Sequence, residues 1–223
     1  MDRAFIIQDP ESGKPHQSLG EEIANSVSHG VGLVAALIGI PILLHHAVRH
    51  GGRVLLAGQC IFSATIVLLY LTSTLYHALP RGKAKRVFRI IEHMSIFFLI
   101  AGTYTPFTLG VLRGPWGWTL FGLIWILALS GVALKLARGV RYPIISTTLY
   151  LLMGWVVLIA IRPLSLRMPH AGFVWILMGG LAYSAGVIFY AIDYRLRYSH
   201  FIWHLFVLTG TVLHYFAVFW YAA

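Results

Sequence analysis

HFIWHLFVLTGTVLHYFAVFWY, residues 200–221, contains no Asp, Glu, Lys or Arg and is apolar over most of its length. A helix needs about 20 such residues to cross the hydrocarbon core of a bilayer. Working back along the chain, the same criterion finds six more candidate spans, at 27–47, 54–77, 90–112, 117–137, 143–161 and 171–193. These Leu/Ile/Val/Phe runs are too long for strands, and backbone exposed to lipid must satisfy its own hydrogen bonds, which favours helices. The sequence therefore predicts an all-α bundle of seven transmembrane helices. Pro41 and Pro106 fall inside spans, where each removes a ladder hydrogen bond and is expected to kink its helix.

Composition agrees. Of 223 residues, 58% are hydrophobic and 11% charged, against about a quarter charged in a soluble domain. The chain is expected to have a flexible polar tail over residues 1–18 and a single membrane domain over 19–223. The polar start lacks the basic, apolar and small-residue segments of a signal peptide and is expected to remain on the mature protein. Ser18 and Glu21 have the spacing of a capping box, which predicts a helix start there. Cys60 is the only cysteine, so an intrachain disulfide is excluded.

The formal charge of +10 raises the question of nucleic acid. The basic residues sit in short loops between apolar runs, where they direct membrane insertion, and no nucleic-acid partner is expected. If the N-terminus is inside, the inner segments hold Arg3, Lys14, Arg81, Lys83, Lys85, Arg86, Arg89, Lys135, Arg138, Arg141, Arg195 and Arg197. The outer segments hold only Arg49, Arg53, Arg113, Arg162 and Arg167. The positive-inside rule then predicts a cytoplasmic N-terminus and an outer C-terminus. Trp116, Trp118, Trp220 and Tyr221 fit interfacial belts.

In that orientation His77 closes the second span at the inner face, Glu92 opens the third, and His200 and His204 open the seventh. Glu22, Asn25 and His29 enter the first span at the same face, whereas His45, His46, His50 and His170 fall near the outer one. Residues four apart share a helix face, so His200 and His204 can hold one ion together. The same spacing stacks Ser73 on His77. Three histidines with an open position make a catalytic rather than a structural zinc site, in which water is acidified toward neutrality. Glu92 is placed to accept a proton or orient water.

Plainer readings exist for each residue. The histidine pair can be interfacial without metal, and Glu92 can pair with Arg89. Asp193 can pair with Arg195 or Arg197. His214 lies ten residues beyond His204, about 15 Å along a helix, and is expected to hydrogen-bond within the bundle. Gly179, Gly180, Ser184, Ala185 and Gly186 form a small-residue surface that close helix packing explains.

The chain resembles the hemolysin III family, the bacterial branch of the progestin and adipoQ receptor family, from about residue 20 to its end. The resemblance is carried by Glu22, Asn25 and His29 as E-x-x-N-x-x-x-H, by Ser73 and His77 as S-x-x-x-H, and by His200 and His204 as H-x-x-x-H. It is also carried by the stretch from His93 through Ala101-Gly102-Thr103-Tyr104-Thr105-Pro106. The resemblance implies a seven-helix fold in the bacterial inner membrane and a zinc ion near the inner face on His77, His200 and His204, with Ser73 beside its water. The family has aspartate where this chain has Glu92, whose extra methylene either still reaches the water or displaces the carboxylate. A wider relationship to membrane hydrolases of the ceramidase type implies zinc-assisted hydrolysis of a lipid amide, with membrane lipids as partners and substrate. Three alternatives stay open: a non-enzymatic membrane sensor pinned by structural zinc, a cytolysin acting by membrane permeabilisation, and a haem-binding bundle.

Overall fold

In the computed structural model, residues 17–223 are described, and nearly all of them are helical. The polar tail expected over residues 1–18 lies almost wholly outside these residues. Seven helical spans are long and apolar enough to cross a membrane. They are α1 (Leu19–His50), α2 (Gly52–Ala78), α3 (Lys83–Leu109), α4 (Pro115–Arg138), a divided fifth span, α7 (His170–Ala191) and α8 (Ser199–Tyr221). The fifth span consists of α5 (Pro143–Trp155), a 3-10 turn (Val156–Ala160) and α6 (Ile161–Arg167). This is a multi-pass membrane protein.

The helix ends follow from local chemistry. Ser18 caps α1 in the expected box: its side chain accepts from the Glu21 N–H, and the Glu21 carboxylate accepts from the Ser18 N–H. The other Glu21 oxygen accepts from the Tyr198 N–H at 3.0 Å, tying the start of α1 to the start of α8. Pro115 and Pro143 stand in the first turns of α4 and α5, where a missing N–H costs nothing. Gly139 ends α4 at φ 60, a conformation that favours glycine. Helices α1 and α3 run through Pro41 and Pro106.

The fifth span, expected as one run over 143–161, is instead divided and extends to Arg167. Pro163 sits in the first turn of α6 and cannot donate to an uninterrupted ladder. Upstream, where α5 gives way to the 3-10 turn, one side chain bonds the backbone: the Tyr104 hydroxyl shares its proton between the Met153 and Gly154 carbonyls at 2.9 and 2.8 Å and accepts from the Val157 N–H at 2.9 Å. Inside a bilayer no water replaces such bonds, so the break is tolerated because a tyrosine stitches it.

The spans follow one another around the bundle, and α1 packs on α8 to close it; α3 touches α2, α4, α5 and α8. Apolar residues point both ways. Val27, Val31, Val34, Ile38 and Ile42 are exposed along one face of α1, while Asn25, Ser28 and His29 are buried on the other. A surface of this kind suits lipid and not water.

Candidate metal centre

At one end of the bundle α1, α3 and α8 begin and α2 ends. His77, in the last turn of α2, is 3% exposed, and His204, in the second turn of α8, is fully buried. His200 keeps 11% of its side chain exposed. One ring nitrogen from each of the three lies within 4.8 Å of the others. The sequence-predicted triad is therefore assembled in space.

Hydrogen bonds set which nitrogen of each ring is free. Nδ1 of His77 lies 2.7 Å from the Glu22 carboxylate and must donate to it, leaving Nε2 as a lone pair without a partner. Ser28 Oγ donates to the Asn25 carbonyl, so Nδ1 of His204, 3.1 Å from that hydroxyl and 3.3 Å from the same carbonyl, is the donor there. Its Nε2 is likewise left unpartnered and buried. Neither ring nitrogen of His200 has a hydrogen bond, though the Asp193 carboxylate lies 3.6 Å from Nδ1. A histidine whose far N–H is held by a carboxylate or carbonyl is the usual form of a metal ligand.

A second arm meets the triad. The Ser73 hydroxyl donates to Glu92 at 2.6 Å, and so accepts from Nδ1–H of His29 at 2.7 Å. Glu92, 2% exposed, also lies 3.7 Å from Nε2 of His77. His29 stacks face to face on His204, ring centroids 3.6 Å apart, and its Nε2 has no partner. His29, Glu92 and His204 form a second group able to hold a metal. Because the groups share His204, they describe one pocket with several donors.

These residues fit a divalent ion by the chemistry of the donor set. Buried ring nitrogens without partners are costly, and a carboxylate buried beside them needs positive charge nearby. Zinc binds imidazole at about 2.0–2.1 Å, so modest ring movement brings the triad onto one ion.

Glu22, Asn25 and His29 stand out in sequence, yet spacing alone assigns them no role; Ser28 carries no sequence signal at all. In the structure all four orient the site. Their signal was the interval: residues 22, 25 and 29 recur at helical spacing at the mouth of an apolar span. Asp193 faces His200, and Glu92 faces Ser73 and His77.

His29 and Glu92 of this site also line a cavity of about 150 Å³. Its walls are almost wholly apolar and come from α3, the divided fifth span, α7 and α8, with His29 and Glu92 at one end and Leu112, Leu120 and Leu164 at the other.

A family model described as "Haemolysin-III related" matches residues 17–215. Hemolysin-3 of Bacillus cereus is 42% identical over 205 residues, covering 92% of this chain and 93% of that protein. A hemolysin-3 homolog of Bacillus subtilis (strain 168) is 41% identical over 204 residues, covering 92% and 95%. The human monocyte to macrophage differentiation factor is 27% identical over 214 residues, covering 94% and 87%.

Proposed function

The chain belongs to the haemolysin-III related family, and from that premise we propose that it is a zinc-dependent membrane hydrolase acting on a lipid amide or ester. The observation that carries this reading is the junction of two features. Buried histidine nitrogens, oriented by Glu22, Asn25 and Ser28, meet His29 and Glu92, which also line one end of an apolar cavity.

In this reading His77, His200 and His204 hold the ion, which would act as a Lewis acid and make water nucleophilic near neutral pH. The residues do the rest. Glu92 takes a proton at its carboxylate and passes it toward the leaving amine or alcohol. Ser73 fixes that carboxylate, and His29 fixes Ser73, so the three form one hydrogen-bonded line that holds Glu92 in position. The apolar walls of α3, α5 and α7 accept the hydrocarbon chain and exclude bulk water.

The membrane orientation belongs to the same proposal. The basic residues from Arg81 to Arg89, from Lys135 to Arg141, and Arg195 with Arg197 all lie at the site end. The positive-inside rule places that end, and the N-terminus, in the cytoplasm.

A non-enzymatic role has its own support. Bonds from α1 to His77 and His204 make the site a pin between α1, α2 and α8, as a structural ion would require. Membrane permeabilisation is suggested by the name of the Bacillus cereus relative alone.

The test is elemental analysis of protein purified without chelators, followed by hydrolysis assays on long-chain lipid amides and esters. The expected result is about one zinc per chain, lost in His77→Ala and His204→Ala. Glu92→Gln should keep the ion and lose turnover. An ion held tightly by a protein that cleaves no lipid would favour the structural pin, and a metal-free protein would end both readings.

A further inference from the structure

Between Glu92 and Asp193 the sequence contains no Asp or Glu. Helix α4, the divided fifth span and α7 therefore carry no side-chain carboxylate. Lys135 nonetheless stands in the last turn of α4, and it is 1% exposed. Its ammonium forms no hydrogen bond or ion pair with any described residue. The nitrogen itself is not sealed from the surface.

Packing fixes where this cation sits. Gly131, one turn earlier, lies against α3: a Cβ there would be 2.3 Å from Phe97 Cε1. Gly139, one turn later, faces Ile90 of the same helix. Lys135 is thus held at the level of His93, with Arg89 a second cation within electrostatic reach. Helix α5 closes the third side. Tyr150 donates to the His93 carbonyl at 2.8 Å, and its ring lies 4.4 Å from that of Phe97. Ser146, buried one turn before Tyr150, gives its proton to the Tyr142 carbonyl.

The carboxylates that bound this acid-free stretch are committed elsewhere. Glu92 accepts from Ser73 at 2.6 Å and faces His77, and Asp193 faces His200. A buried charge without a partner is costly, so the missing anion must come from outside the chain. The surroundings say which kind. Leu136 beside Lys135, and Ile144 and Ile145 at the start of α5, are exposed apolar side chains suited to lipid. Arg138 and Arg141, also exposed, begin the polar connection. The cation therefore lies where hydrocarbon gives way to headgroups, and basic pockets between helices at that depth suit lipid phosphates.

We propose that Lys135, with Arg89 adding positive potential, forms a site between α3, α4 and α5 for the phosphate of an anionic phospholipid. The lipid's oxygens accept from the Lys135 ammonium, and its acyl chains lie along Leu136 and Ile144. The site is separate from the metal centre and needs neither the ion nor turnover.

The test is lipid binding to delipidated full-length protein in nonionic detergent, with bound lipid counted by native mass spectrometry. The probes are dioleoyl phosphatidylglycerol, dioleoyl phosphatidylcholine, which has the same chains but no net charge, and inorganic phosphate. Phosphatidylglycerol should bind about tenfold tighter than phosphatidylcholine, the worth of one charge-assisted hydrogen bond. Lys135→Met keeps the stem, removes an unpaired charge and should bring that ratio to about one. Lys135→Arg should keep most of the preference, and Arg141→Gln, at an exposed cation of the same end, should leave it unchanged. Equal binding of the two lipids by the unaltered protein, or a preference that survives Lys135→Met, would overturn the site. A loss in Arg141→Gln as large as in Lys135→Met would also overturn it, since attraction would then be diffuse. Displacement of phosphatidylglycerol by inorganic phosphate at equal concentration would overturn the lipid as the source of the phosphate.

Discussion

The half of the bundle built from α1, α2, α3 and α8 and the half built from the fifth span and α7 obey different rules. Half of the residues in the most apolar stretch of α2 are buried, against 17% in the fifth span and in α7. On the first side, polar atoms are drawn together from four helices: Glu22 reaches His77, Ser28 reaches His204, and Ser73 reaches both His29 and Glu92. On the second side, polar groups repair the backbone and line space. Tyr104 closes the break after Trp155, and Ser184 receives the Trp155 indole. One half fixes chemistry in place, and the other leaves room beside it.

Replacing Glu22 attacks the first half where it is most committed. Its carboxylate holds Nδ1 of His77 at 2.7 Å and the Lys85 ammonium at 3.0 Å. Glu22→Ala frees the imidazole to turn and to change tautomer. Loss of such a support costs about 10- to 100-fold in metal affinity, which competition with a chromophoric chelator measures. Glu22→Gln keeps an acceptor for the same N–H and should cost less. Affinity unchanged in Glu22→Ala would mean that α1 does not support the centre.

This contrast also explains what was readable beforehand. Seven helices were legible because lipid demands long apolar runs, and the triad was legible because His200 and His204 stand four apart at a helix start. The role of α1 was not, because its contribution crosses between helices. Ser28 acts through a hydroxyl and Asn25 through a backbone carbonyl, and a carbonyl leaves no trace in a sequence. The break in the fifth span was hidden for another reason. Gly154 and Pro163 hint at it, but the partner that makes it tolerable, Tyr104, lies about fifty residues away. The small residues of α7 divide between the halves as well: Gly179 meets His214 on α8, while Gly180 lines the cavity.

Tyr104→Phe tests whether the second half is structurally separate from the first. The change keeps the ring and deletes one hydroxyl, leaving the Val157 N–H and two carbonyls without that partner. A buried group left unsatisfied costs about 1–3 kcal/mol. Thermal unfolding in detergent should show the loss, with metal content unchanged. Loss of the ion would break the comparison, since a defect in the fifth span would then reach the α1 side.

Ser18→Ala brings the smallest expected change and probes how redundantly the first half is built. The Ser18 hydroxyl caps α1, and removing such a cap costs about 1 kcal/mol. Glu21 has two duties in the same box: one oxygen accepts from Ser18, and the other accepts from the Tyr198 N–H. Tyr198 stands in the left-handed region, φ 59, immediately before α8. A tyrosine stays there only if its surroundings hold it, and Glu21 is one such hold. Ser199 is another, donating to the Phe189 carbonyl at 2.7 Å. With that second tether intact, α8 should keep its entry angle and His200 and His204 their positions. Ser18→Ala should therefore lower the unfolding midpoint slightly and leave chelator competition unchanged. If metal affinity falls as far as in Glu22→Ala, the centre depends on the box that joins α1 to α8, and its rigidity comes from the helix ends and not from the buried hydrogen bonds.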